Sequence, residues 1–291
     1  MKVALVLGGG GARGLAHIGA LKAFEEYDIQ PTAISACSMG AIVGAFYAAG
    51  WTWEKLQDLT TSLKFQQFLH FGELGGLLGG AGIEKILSNH LPETFEELAL
   101  PLSVTAVDVQ AGNLVVFRSG ELIPALRASS AIPGILSPVK HKGRYLIDGG
   151  LLNNLPVDII RSMSLEPVIA VDIAAPPNRQ LKFESEGISL LENLSALITG
   201  KRHPLDEILK RSLTIELFMK AFDIPQKVLT EMRLSMQPPE LLIRPELAPQ
   251  FGIEDFHRYE EAIQKGYEAS QKTLRSWPYL SNIASGHSET R

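Results

Sequence analysis

Apolar residues along this 291-residue chain fall into short blocks of two alternating kinds. The first kind is a short continuous run bounded by glycine or polar residues, the pattern of a strand covered on both faces. Val3–Leu7, which runs straight into glycines, is such a block and predicts a central strand; Thr32–Cys37 follows it. Further strands are expected at Leu102–Val107, Val115–Arg118, Tyr145–Ile147, Val168–Ile173 and Leu241–Arg244. The second kind repeats at helical spacing, as in Leu15, Ile18, Leu21 and Phe24 up to Tyr27, and again in Trp53, Leu56, Leu59 and Leu63. Met39–Ala49 is a helix of small residues able to approach a sheet closely, stopped at Gly50, and a last helix runs from about Glu254 to Arg275. Strands alternating with helices predict a mainly parallel sheet in a three-layer α/β/α sandwich.

Two stretches break the rhythm. Residues 65–82 carry Phe65, Phe68, Leu69, Phe71, Leu74, Leu77 and Leu78 among six glycines, which reads either as a lid or lipid-contacting flap or as an irregular segment packed on the body. Residues 178–239 read as a largely helical insertion, with Ile208, Leu209, Leu213, Leu217 and Phe218 amphipathic, suited to covering a site or to association. The polar tail from about Ser281 is expected to fray. The whole, residues 1–291, reads as a single domain carrying that insertion.

Composition narrows the function classes. Hydrophobic residues at 45% and charged residues at 20% suit a folded core and exclude disorder for most of the length. With 27 basic and 32 acidic residues, a net charge of −5, and no basic cluster longer than Lys201-Arg202-His203, nucleic acid is not an expected partner. One cysteine, Cys37, excludes a disulfide framework or a cysteine-rich zinc site and fits a reducing, cytoplasmic compartment. The apolar start is too short for a signal peptide, and no apolar run is long enough to span a bilayer. A peripheral contact with the inner face of the membrane stays open.

The first chemical signal is Gly8-Gly9-Gly10-Gly11-Ala12-Arg13-Gly14, placed after a strand and opening a helix. Its Gly9-x-Gly11-x-x-Gly14 spacing meets the dinucleotide fingerprint, but the second strand ends in Cys37 and Ser38 where a ribose-binding acid is required. The same backbone amides suit a developing oxyanion. The second signal, Ala36-Cys37-Ser38-Met39-Gly40, joins a strand to a small-residue helix, the context of a nucleophile elbow. Ser38 is then the nucleophile, and the Met39 amide a further oxyanion donor; as an isolated pentapeptide it reads equally as a helix N-cap. Ala36 replaces the usual first glycine of that motif. Cys37 precedes the turn and reads as a small buried residue.

A serine nucleophile needs a base. His203, His257 and His287 lie late enough in the chain for a triad, but only one βα unit precedes the elbow. Asp108, Asp148 and Asp172 all fall at strand ends, and Asp148 is followed by Gly149-Gly150, which lets the chain turn away from a carboxylate that faces the site.

Taken in order, Gly9-Gly10-Gly11-Ala12-Arg13-Gly14, Ala36-Cys37-Ser38-Met39-Gly40, Ala128-Ser129-Ser130-Ala131-Ile132-Pro133 and Asp148-Gly149-Gly150 resemble the patatin-like phospholipases, in particular bacterial members akin to neuropathy target esterase. The resemblance spans roughly residues 2–175. It implies a Ser38–Asp148 dyad without histidine and an oxyanion hole built from Gly9, Gly10 and Gly11. Arg13 orients the loop or a lipid phosphate, Ala128–Pro133 packs beside the dyad, and no metal or cofactor is required. The implied activity is hydrolysis of lipid carboxylic esters, of phospholipase A or lysophospholipase type. Alternatives on the same site are short-chain ester or thioester hydrolysis and a non-catalytic lipid-binding or regulatory role.

Overall fold

The computed structural model describes residues 1–62, 80–174 and 213–280. Most of the apolar 65–82 stretch, the insertion up to residue 212 with His203, and the tail with His287 lie outside the described residues.

Eight strands form one sheet: β1 (Lys2–Leu7), β2 (Gln30–Cys37), β3 (Leu102–Asp108), β4 (Asn113–Phe117), β5 (Val139–His141), β6 (Arg144–Asp148), β7 (Val168–Val171) and β8 (Leu241–Ile243). The parallel part runs β3-β2-β1-β7-β8, with β1 at its centre. Val3 to Leu7 are completely buried and their side chains alternate between two cores. Val3, Leu5 and Leu7 face the larger one, with α1 (Ala16–Glu26), α2 (Ser38–Ala48), α5 (Leu122–Ser129) and α9 (Tyr259–Arg275). Ala4 and Val6 face a thinner layer of Val157 and Ile160 from α7 (Val157–Ile160) and Leu234 from α8 (Leu213–Met236). Helices α3 (Trp53–Ser62), α4 (Ala81–His90) and α6 (Gly150–Asn153) complete the set among the described residues. The expected three-layer α/β/α sandwich with a mainly parallel sheet is the architecture observed.

Two antiparallel hairpins, β3–β4 and β5–β6, were not expected from the alternation of strands and helices. Strand β5 has three residues, too few for a periodic signal. The first helix also begins differently, as a 3-10 turn over Gly11–Leu15 that passes into α1 at Ala16.

The hairpins decide where the site lies. Along Val104–Asp108, β4 occupies one edge of β3, so β2 and β6 must share the other. Strand β2 ends with Cys37 opposite Thr105, and β6, running the other way, ends with Asp148 opposite Ala106. The C-terminal ends of two strands far apart in sequence therefore abut on neighbouring residues of β3.

Candidate active site

Ser38 is the first residue of α2 and directly follows β2. Its φ of 52° lies in the left-handed region, which costs a residue with a Cβ about 1–2 kcal/mol and marks a strained elbow. Ala36 is not among the residues with positive φ, so the elbow does not need glycine there. Gly40 is needed for close approach: a Cβ on it would collide with the carbonyl oxygens of Leu7 and Gly8. The Ser38 amide donates to Ser129 Oγ at 2.8 Å, and the Asp148 amide donates to the Ala131 carbonyl at 3.0 Å. One short segment thus pins both ends of the β2/β6 junction, which gives the Ala128–Pro133 block a positioning role.

Asp148 is buried and receives hydrogen bonds from the Gly150 amide at 2.7 Å and from Cys37 Sγ at 3.6 Å, and the nearby Ser38 hydroxyl further favours its charged form. Burial pushes its carboxyl up from 3.8 to about 6, and these donors draw it only part of the way back. The group stays ionised at neutral pH yet is far more basic than a solvated aspartate. Burial and the neighbouring Asp148 raise the Cys37 thiol, which remains protonated and acts as a donor.

The other candidate bases are committed elsewhere. Asp108 Oδ1 accepts from the Gln110 and Ala111 amides at 2.9 and 3.1 Å, closing the β3–β4 turn. Asp172 Oδ1 takes the Ala174 amide at 3.1 Å while its Oδ2 pairs with Arg244 at 2.9 Å. His257 is exposed on a short 3-10 turn, and none of these three lines the cavity over Ser38. His17, completely buried, sits under the glycine loop with Nε2 2.8 Å from the Gly8 carbonyl oxygen. Burial lowers its pKa to about 4, so the ring is neutral and Nε2–H donates to that carbonyl.

Within the glycine loop the amides divide. Those of Gly8 and Gly9 donate to the Val171 and Asn154 carbonyls at 3.0 and 3.3 Å, and that of Ala12 to Ile253 at 2.8 Å. Gly10 and Gly11 line the cavity together with Arg13, Ser38, Asp148, Asn154 and Ile132. Gly11 has φ of 57°, a conformation that glycine adopts without strain. Met39 does not line the cavity; its side chain packs where a Cβ on Gly14 would have to stand. The fully buried Arg13 is at the cavity wall.

Sequence reasoning missed Asn154. Its Nδ2 donates to the Gly9 carbonyl at 3.1 Å while its own carbonyl takes the Gly9 amide, a two-point clamp on the loop. The Asn153-Asn154 pair right after the Asp148 block was the signal that could have found it. Phe222, Asp223 and Gln226 of α8, within the 178–239 stretch read as suited to covering a site or to association, roof a cavity of only about 20 Å³. That is room for about one water molecule.

The family model for patatin-like phospholipases matches residues 5–161, more than half of the chain. The chain belongs to the patatin-like phospholipase family. Among patatin-like relatives, an uncharacterised NTE family protein of Mycobacterium tuberculosis is 40% identical over 179 residues, 59% of this chain and 49% of its own. The human patatin-like phospholipase domain-containing protein 6 is 34% identical over 197 residues, 64% of this chain and 14% of that one. The lysophospholipase NTE1 of Cryptococcus neoformans is 27% identical and covers 98% of this chain, but 18% of its own length. This chain therefore spans half or less of these relatives. In fold it is similar to VipD from Legionella pneumophila, with a TM-score of 0.57 at 14% identity, covering 95% of this chain and 67% of that one.

Proposed function

We propose that this patatin-like protein hydrolyses carboxylic ester bonds of lipids, as a phospholipase A or lysophospholipase, with Ser38 as nucleophile and Asp148 as base. The observation that carries the reading is the abutment of β2 and β6, which brings Ser38 and a buried carboxylate of raised basicity to the wall of one cavity. The family and the lysophospholipase relative support the substrate class.

Ser38 Oγ attacks the ester carbonyl carbon as its proton passes to Asp148. The carbonyl oxygen becomes an oxyanion held by the Gly10 and Gly11 amides, which the Asn154 clamp and His17 keep in place from behind. Collapse expels the alcohol, which takes the proton from Asp148. Water then attacks the acyl-serine with Asp148 again as base, and release of the fatty acid restores Ser38. Nothing in this cycle calls on a histidine, a metal or a cofactor. The site of action in this reading is the cytoplasm or the inner face of the membrane; among the described residues no helix is long and apolar enough to cross one.

Labelling of purified protein with a long-chain fluorophosphonate, followed by intact mass, tests the reading. Wild type should gain one adduct and Ser38→Ala none, while Asp148→Asn should label far more slowly. A well-folded wild type that takes no label, or an equally reactive Ser38→Ala, would remove Ser38 as nucleophile. A chain-length series of esters then separates lipid from short-ester hydrolysis.

A further inference from the structure

Helix α8 carries two functions on two faces. Its inner positions Phe222, Gln226, Thr230 and Leu234, each four residues after the last, are buried. Phe222 and Gln226 roof the catalytic cavity, and the Gln226 amide lies where a Cβ on Gly150 would stand, directly beside Asp148. The outer positions keep the same spacing, yet they are apolar: Ile224, Val228, Met232 and Met236 are 61, 53, 56 and 72% exposed. At 3.6 residues per turn these four, with Ala221, Pro225 and Ser235 between them, span a sector of about 120° that faces away from the body. A helix on a globular domain ordinarily turns its apolar sector inward and its polar one outward, whereas α8 buries Gln226 and Thr230 and turns a largely apolar sector outward.

We propose that this outer face docks onto a lipid surface and that docking withdraws the roof from Ser38, which couples catalysis to the membrane. The inference rests on the lipid-hydrolase reading for what happens in the site; the docking itself does not. Three observations favour a lipid surface over a second protein. Lys220 and Lys227 lie along one edge of the apolar sector, on the same side as Glu231, whose carboxylate is paired with Arg244, so that the ammonium groups are placed to meet lipid phosphates while the apolar residues enter the acyl boundary. The exposed residues belong to the very helix whose Phe222, Asp223 and Gln226 line the cavity over Ser38, and a cavity of about 20 Å³ is too small to hold an acyl chain as it stands. A second copy of the chain seated on the stripe would hold the roof down, whereas a lipid surface both covers the stripe and presents the substrate.

The helix is built to move at one end. Leu234 sits in the thinner core, and Arg233 pairs with Asp158 at 2.7 Å, which is held in turn by Asn153 at 2.8 Å. These contacts anchor the C-terminal half. In the roofing turn itself, between Phe222 and Gln226, Pro225 has no amide proton to give the Ala221 carbonyl, so one helical hydrogen bond is missing in the part over Ser38.

The test compares wild type with Ile224→Ser/Val228→Ser/Met232→Ser and, as a control, Val109→Ser, an exposed apolar residue on the far hairpin. Vesicles of ether-linked phosphatidylcholine, with and without ether-linked phosphatidylglycerol, provide a surface that cannot be hydrolysed. Wild type and Val109→Ser should float with the vesicles, more so when the anionic lipid is present. The triple variant should partition about a hundredfold less, the scale expected for withdrawing several buried methylenes. Vesicles should speed fluorophosphonate labelling of Ser38 in wild type about tenfold and leave the triple variant at the basal rate, which without vesicles is common to both. Equal flotation of wild type and triple variant overturns the docking surface. Flotation without faster labelling overturns the coupling. A wild-type dimer that the triple substitution converts to monomer assigns the stripe to a second copy instead. Failure of the hydrolase reading looks different, because Ser38 then stays unlabelled under every condition while flotation still reports on docking.

Discussion

Replacing Asp148 by asparagine should make the protein more stable at neutral pH while abolishing turnover. Transfer of the carboxyl from water, where it titrates near 3.8, into the closed junction of β2 and β6 raises its pKa to about 6. Below about pH 3.8 both folded and unfolded chains hold the proton and the group costs nothing. Between the two values the unfolded chain releases the proton and the folded one retains it, so this group's contribution to stability is lost progressively as pH rises. Above about pH 6 the cost is complete, and at 1.36 kcal/mol per pH unit it amounts to about 3 kcal/mol. Asparagine cannot ionise, is nearly the same size, and still offers an oxygen to the Gly150 amide. Urea unfolding of wild type and Asp148→Asn at pH 4 and at pH 8 isolates the effect, because contributions from all other groups cancel in the difference. The advantage of the variant should grow by about 2.5 kcal/mol between the two pH values, because about 0.5 kcal/mol of the cost is already present at pH 4, alongside loss of hydrolysis. An advantage that is the same at both pH values would show that Asp148 titrates alike in the folded and unfolded chain, and the burial argument would fall.

The same carboxylate predicts that kcat/KM falls on an acidic limb with an apparent pKa near 6, about tenfold per pH unit below it; a limb near 4 or a flat profile would exclude Asp148 as the base. Both Ser38→Ala and Ser38→Gly should be inactive, but the glycine variant should be more stable by about 1 kcal/mol because it accepts the φ of 52° without strain; thermal melts of the pair decide it. Asn154→Leu keeps the volume and removes the side-chain half of the clamp on Gly9. It should lower kcat by about a hundredfold with less effect on KM and an unchanged far-ultraviolet spectrum, and an unchanged kcat would show that the loop holds its shape without it.

Local pattern was enough to find most of the fold because strand and helix periodicity are properties of neighbouring residues. Val3–Leu7 announced a strand covered on both faces, and its side chains do divide between two cores. The small-residue helix after Ser38 was visible for the same reason: only glycine and alanine permit α2 to press against the end of β1. Ser38 could be named from the turn it stands on, and Asp148 from the glycines that follow it. Standing at a strand end does not by itself separate Asp148 from Asp108 and Asp172, and the glycines after Asp148 favour it without showing which carboxylate the fold buries beside Ser38.

Tertiary structure made that choice. Asp148 comes beside Ser38 because β6 and β2 pair with one shared edge of β3 and end against each other there, bringing together Cys37 and Asp148, 111 residues apart, as no local repeat encodes. Packing likewise turned Ser129 into the acceptor for the Ser38 amide, divided the glycine loop so that Gly9 is tied to Asn154 while Gly10 and Gly11 face the cavity, and laid α8 across it. The residues themselves carry the chemistry each segment can offer. Which carboxylate becomes a base is decided by which one the fold buries beside a hydroxyl, since desolvation and hydrogen bonding act only once distant strands have met.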